Sequence, residues 1–465
     1  MTTLANWLTR IFAIRSGPEI EMGLERIRPI FERMNVAPTC PVILVAGTNG
    51  KGSVCAYLDA ILRAAGFHVA RYTSPHIHRF NERIAVDGVD ATDAQLVAAF
   101  DAVEAARGDM LLTFFEYTTL AAFHIFSAIK LDAWVIEVGL GGRLDATNIL
   151  DADCAVITSI GIDHTEFLGA TRELIAVEKA GILRSNRPAV IAEPEPPQSL
   201  IDVAVERGAD ARYIGQDFGW QKSPETPSQW SFWARSVHSP GGRGNVANAS
   251  ATIVLPANYP HPNPPPLGEG AEKASPQIGE VTTLRRHGLP LPALRGTYQL
   301  GNAAAALAAL HALNGKLPVS QGAVKQGLIE VEWPGRFQVL AGRPVTVLDV
   351  GHNAHAAAAM ERALADMAYF PMTYAVFSMF RDKDVGAVVQ AVKGRIDEWL
   401  VAPLPGPRGM SVNELAVALV AAGINNRAIH RHASVAAAYA AARKMAAEAD
   451  RIVVFGSFLT VAQAA

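Results

Sequence analysis

Residues 42–58 read VILVAGTNGKGSVCAYL. The apolar run VILVA (42–46) predicts a buried strand, and the glycine-rich stretch Gly47-Thr48-Asn49-Gly50-Lys51-Gly52-Ser53 predicts a tight turn. Beyond it Val54, Leu58, Ile61, Leu62 and Ala65 recur at helical spacing, and Gly66 stands where a helix C-cap is expected. A strand, a glycine turn and a helix N-terminus in this order place several backbone N–H groups and the favourable end of a helix dipole around one point, which suits phosphate. Lys51 would add positive charge, and the Ser53 hydroxyl would serve Mg²⁺. The usual phosphate loop has another glycine where this chain has Val45, so the match is to a shortened variant, GxxGKGS. The alternative is a glycine-rich turn with no ligand.

Working outward, AWVIEV (133–138), AVITSI (155–160) and PAVIAE (188–193) are further short apolar runs, each followed by a helical pattern. Such alternation predicts a mostly parallel sheet covered on both faces. A second series, VTVLDV (345–350), TYAVFSMF (373–380), EWLVAPL (398–404) and RIVVFGSF (451–458), follows WPGR (333–336). We therefore expect an α/β protein of two domains, 1–332 and a smaller Rossmann-like 337–465, with a hinge at 333–336 where Pro and Gly stop the preceding helix. Residues 221–292, dense in Pro, Gly, Asn and Ser, are expected to form a mobile surface insertion; the run PNPPP within it also has the composition of a polyproline ligand.

The chain has 465 residues, of which half are hydrophobic and 18% charged, enough apolar material for substantial cores. Its 41 basic and 44 acidic residues create no global basic field for nucleic acid. Three scattered cysteines, Cys40, Cys55 and Cys154, fit a reducing compartment and show no metal spacing. Arg10 and Arg15 interrupt any N-terminal signal core, and no apolar run is long enough for a membrane helix. The expectation is a soluble cytoplasmic protein acting without nucleic acid or membrane.

Glu137 closes one predicted strand and His164 lies just past another, both at the edge where a doubly wound sheet opens its ligand crevice. A solvated glutamate and a structural histidine are the alternatives. His76 and His78 in SPHIH have no matching acidic cluster and alternate in an extended chain, so a substrate loop is preferred to a metal pair.

The motifs GTNGKGS (47–53), SPHIHRFNERI (74–84), FFEYTTL (114–120), EVGLGGRLDATN (137–148), GIDHTEFLG (161–169), EKAGI (178–182), WPGRF (333–337) and DVGHNAH (349–355) occur in one order along nearly the whole chain. Together they resemble the bifunctional bacterial dihydrofolate synthases/folylpolyglutamate synthases of the Mur ligase superfamily. The resemblance implies a Mur-ligase-like P-loop ATPase domain and assigns Asn49, Gly50, Lys51, Gly52, Asn302, Arg336 and Asp349 to ATP. It assigns Ser53, Glu137, His164 and Lys179 to magnesium at two sites, with Lys179 carbamylated so that an anionic oxygen replaces an ammonium. An ordinary salt-bridging lysine is the alternative there, and a domain-linking salt bridge is the alternative for Arg336. Lys51, Lys179 and His352 are the implied catalytic residues, and potassium is a further candidate cofactor.

The same resemblance implies contacts to the pterin substrate from Glu21, Met22, Gly23, Leu24, Phe114, Phe115, Glu116, Tyr117, Leu144, Asp145 and Ala146. Taken alone, Phe114-Phe115 reads more often as helix core, and Glu116 reads also as a polar helix residue. Gly351 and Ala354 stand where relatives often have alanine and proline. The implied reaction is ATP-dependent addition of L-glutamate to dihydropteroate and to reduced folates through an acyl phosphate, by a monomer. An extension-only folylpolyglutamate synthase and a P-loop ATPase switch remain the competing functions.

Overall fold

The computed structural model describes residues 3–13, 21–237 and 281–464. Strands β1 (Val42–Ala46), β2 (Val69–Tyr72), β3 (Ile84–Val86), β4 (Val89–Asp90), β5 (Ala133–Glu137), β6 (Cys154–Ile157), β7 (Pro188–Ile191) and β8 (Asp210–Tyr213) form one sheet in the order β4-β3-β2-β5-β1-β6-β7-β8. From β2 to β8 every neighbouring pair is parallel; β3 and β4 continue the β2 edge antiparallel.

Successive side chains of a strand point to opposite faces, and here both faces are dry. Val42, Leu44 and Ala46 of β1 join the core beneath helices Asp93–Arg107 and Phe114–Ser127, whereas Ile43 and Val45 join the core beneath Lys51–Ala64 and Tyr298–Ala312. This two-sided burial explains why the strands read as unbroken apolar runs.

The stretch expected as one irregular insertion, 221–292, contains ordered strands at both ends. β9 (Phe218–Lys222), β10 (Gln229–Val237) and β11 (Val281–Pro290) make a three-stranded antiparallel sheet in which Trp230, Phe232 and Leu289 are buried against the second core. Residues 238–280 of that stretch, which include PNPPP, and Arg15 lie outside the described residues.

β12 (Gln338–Leu340), β13 (Val345–Asp349), β14 (Thr373–Phe377), β15 (Glu398–Val401), β16 (Ile429–Arg431) and β17 (Arg451–Phe455) form a further sheet in the order β12-β13-β17-β14-β15-β16. Only β12 is antiparallel, and this sheet too has a core on each face. Among the described residues no helix is long and apolar enough to cross a membrane.

Helix Lys51–Ala64 is gripped by helix Gln321–Glu330 at an unusually close approach. A Cβ on Gly327 would lie 2.6 Å from the Cα of Ile61. Gly327→Ala must therefore push backbone from backbone, and a loss of about 1–3 kcal/mol is expected. Urea unfolding checks it: the midpoint should fall with the slope unchanged.

Candidate active site

The parallel strands deliver the candidate residues to one edge. Residue pairing sets Glu137, at the end of β5, beside Val45, two residues before Gly47. The turn after β1 is braced by the end of β6: the Thr48 N–H donates to the Ser159 carbonyl (2.8 Å), the Asn49 N–H to Ser159 Oγ (3.0 Å), and Thr158 Oγ1 to the Asn49 carbonyl (2.6 Å). Gly50 has φ +88°, and a Cβ there would meet Asn302 Oδ1 at 2.6 Å. Glycine is thus required both by the backbone and by the close approach of Asn302.

Lys51 Nζ and Lys179 Nζ both donate to the Gly47 carbonyl, at 3.1 and 3.0 Å. Lys179 is 4% exposed. Burial, reinforced by the charge of Lys51, pulls its amine down from the ordinary 10.5 to about 7. Glu137, also 4% exposed, is raised by burial, against the charge of Lys51 and the Ser74 N–H that donates to Oε2 at 3.0 Å. Ser53 Oγ accepts from Gln299 Nε2 at 3.2 Å, and Gln299 in turn accepts from Asn302.

The donor set fits a hard divalent cation in part. Ser53 and Glu137 supply oxygens where a nucleotide phosphate and waters would complete the shell. Lys179 as an amine does not fit, and among the described residues no group of three His, Cys, Asp or Glu is arranged for a metal. His164 sits at φ +51°; burial, with Lys383 opposing the nearby Asp163, lowers its imidazole to about 4.

Residues from the other sheet meet this edge. Asp349 ends β13, where its carboxylate accepts the N–H groups of Phe337 (2.9 Å) and Gly351 (2.7 Å). The Arg336 guanidinium lies 5.0 Å from the Phe458 ring, near enough to Glu137 and Asp349 for both charges to act on it. His352 Nδ1 donates to the Val350 carbonyl at 2.8 Å, and its Nε2 faces Asp163. Arg83, which carried no sequence assignment, is buried; its Nε donates to His76 Nδ1 at 2.9 Å. Burial and Arg83 push His76 down to about 4, whereas His78 is exposed. His76 is thus an acceptor for Arg83.

The residues expected around the pterin converge on one rim but differ in availability. The Gly23 N–H donates to the Leu144 carbonyl (3.1 Å), Met22 reaches Gly141, and the Phe115 ring covers Gly139. Phe114 stacks on Phe12 at 4.3 Å. Leu24 is half-buried and Ala146 buried. Tyr117 is a core residue rather than a contact surface: it is wholly buried, with its hydroxyl donating to Glu104. The Asp145 carboxylate is spent on Leu140 and Thr147 N–H groups. Glu116 caps its own helix by accepting the Thr113 N–H and is bound by Arg26, which also grips Glu21. Both Glu116 and Tyr117 lie on the inward face of helix Phe114–Ser127, a placing that helix periodicity carries in the sequence.

Two family models match, the Mur ligase middle domain over residues 45–255 and the Mur ligase glutamate ligase domain over 335–458. Over 460 residues the chain is 38% identical to the dihydrofolate synthase/folylpolyglutamate synthase of Escherichia coli strain K12, spanning 99% of this chain and 94% of that protein. The chain belongs to this Mur ligase family. Among solved family members, E. coli FolC in complex with DHPP and ADP superimposes with a TM-score of 0.82 at 38% identity, covering 99% of this chain and 96% of that one. The Yersinia pestis bifunctional enzyme complexed with AMPPNP and Mn ion gives 0.81 at 39% identity, covering 99% and 97%.

Removing Arg26 would leave Glu116, whose side chain is 3% exposed, without its cation. Arg26→Met should cost about 2 kcal/mol or more, since a buried carboxylate is left unpaired. In thermal unfolding Arg26→Met/Glu116→Gln should recover part of that loss.

Proposed function

We infer that this chain is an ATP-dependent amide ligase: it adds L-glutamate to 7,8-dihydropteroate, giving dihydrofolate, and to tetrahydrofolates, giving polyglutamates. The observation that carries this reading is the meeting of a phosphate turn, a buried carboxylate and an arginine from the other domain at one sheet edge, in a chain 38% identical across 99% of its length to an enzyme of that name.

A carboxylate and an amine do not condense in water without activation. In the proposed sequence a carboxylate oxygen of the substrate attacks the γ-phosphorus of ATP and ADP leaves, forming an acyl phosphate. The glutamate nitrogen then attacks the acyl carbon, and phosphate departs with that carboxylate oxygen. Lys51 and the N–H groups of the 47–53 turn would hold the phosphates, and Arg336 would oppose the charge that spreads during transfer. Asn302 is assigned to the adenine side and Asp349 to the nucleotide from the second domain. Ser53 and Glu137, with His164, would hold magnesium, which neutralises phosphate charge when bound. Burial of these groups between the domains keeps water from the acyl phosphate.

For Lys179 we adopt carbamylation. A neutral amine attacks carbon dioxide and an ammonium does not, and burial, by lowering this amine to about 7, leaves about half of it neutral at pH 7. A cytoplasmic location belongs to the same proposal, supported by three free thiols.

The decisive assay supplies dihydropteroate, glutamate, ATP and magnesium. Dihydrofolate, ADP and phosphate are expected in equal amounts, with carboxylate ¹⁸O recovered in the phosphate. Extension of folates without dihydrofolate formation would support the extension-only enzyme, and ATP turnover without either acceptor would support a switch.

Lys179 adds a pH test. Its folded pKa is depressed, so between about 7 and 10.5 the folded chain binds fewer protons than the unfolded one. This residue's contribution to stability therefore falls as pH drops through that window and is constant below it. Activity should rise with pH through about 7 and respond to bicarbonate there, and Lys179→Ala should lose about tenfold or more. Indifference to removal of carbon dioxide would reject the carbamate.

A further inference from the structure

Asp163 received no role from its sequence, yet three side chains of the second domain converge on it. Its side chain is 9% exposed, and both oxygens are occupied. Oδ1 accepts the N–H of His164 at 2.8 Å and Lys383 Nζ at 2.6 Å; Oδ2 accepts Asn353 Nδ2 at 3.0 Å and faces His352 Nε2 at 3.5 Å. Lys383, Asn353 and His352 all come from the second domain, and the Lys383 side chain is only 6% exposed.

The contact continues into the phosphate turn. Asn353 and Asn49 exchange a reciprocal pair of amide hydrogen bonds, each 3.1 Å, and Asn49 Nδ2 also lies 3.0 Å from His355 Nδ1. Asn353 Oδ1 simultaneously caps helix Ala354–Ala365 by accepting the Ala356 N–H. One carboxylate of the first domain is thus tied to the start of a second-domain helix, and that helix start is tied to the turn.

We propose that Asp163 is a positioning residue that latches the domains shut, so that closure, the setting of His164 and the placing of His352 occur as one event. Separating a buried ion pair is costly unless water reaches both charges, so an arrangement with Lys383 away favours an open cleft. Withdrawing either partner therefore shifts the population of closed molecules. The neighbouring bond to the His164 N–H helps hold that residue at its positive φ, so the same carboxylate orders the first-domain side of the cleft.

The consequence for catalysis rests on the ligase reading, but closure itself does not, and the test separates them. Nitroxide labels at Val205→Cys and Val417→Cys, exposed positions on the two domains, in a Cys40→Ser background, report the interdomain distance in the full-length protein with ADP. Asp163→Asn and Lys383→Met should each broaden and lengthen the distribution, and Lys383→Arg should restore most of it. In ligation assays each single variant should lower kcat/KM about 10–100-fold, chiefly through kcat, and the double variant should be no worse than the poorer single one, because the two share one interaction. A distribution unchanged in both variants overturns the latch, as do losses that multiply in the double variant. A parent protein that forms no amide while its distances still respond to Lys383→Met would refute the ligase reading and leave the latch standing.

Discussion

Ionisable groups cannot be gathered in a dry cleft unless each has a partner, and this constraint organises the centre of the molecule. Lys51 and Lys179 converge on a single carbonyl, that of Gly47, because a buried amine needs an acceptor and the turn supplies it. Glu137 takes the Ser74 N–H and Asp349 takes two backbone N–H groups. Such compensation is available only where several chain segments end together. The carboxyl edge of a parallel sheet is such a place: β1, β5 and β6 each finish there, and their apolar bodies fix the spacing of the loops that leave them.

The same architecture decides how much of the fold could be read from the chain. Strands buried on both faces carry few polar residues short of their ends, so β1, β5, β6 and β7 stand out from the flanking chain as apolar runs. β10 was harder to see. In Gln229–Val237 only Trp230, Phe232 and Ala234 face the core, an alternation obscured when the segment is averaged with the Pro- and Gly-rich residues after it. Composition over a long window and periodicity over a short one answer different questions, and here the short window was right.

Site residues divided along a similar line. The gathering of Lys51, Ser53 and Glu137 at one sheet edge is legible because each stands at or just past a strand end. Asp163 is not, since its partners lie 190 and 220 positions away and charge pairing across a fold leaves no local pattern. Glu116 and Tyr117 present the opposite case. Their motif invited a substrate role, while capping by Thr113 and the inward face of the helix gave both side chains work inside the protein.

The crossing between domains is equally constrained. Trp333 belongs to the first domain: its indole nitrogen sits 2.6 Å from where a Cβ on Gly52 would be, and the Arg71 guanidinium, held by Asp59 of the same helix at 3.0 Å, covers its ring. Gly335 belongs to the second, because its carbonyl accepts the Val350 N–H at 2.9 Å. The passage is therefore made at Pro334, whose ring fixes one of its two soft dihedrals. The connection is short, so the second sheet turns about a point held beside the first domain. It also places the tryptophan against the first turn of helix Lys51–Ala64, so the turn assigned to phosphate and the backbone that carries the second domain share a packed surface. Any side chain larger than hydrogen at Gly52 would press on both.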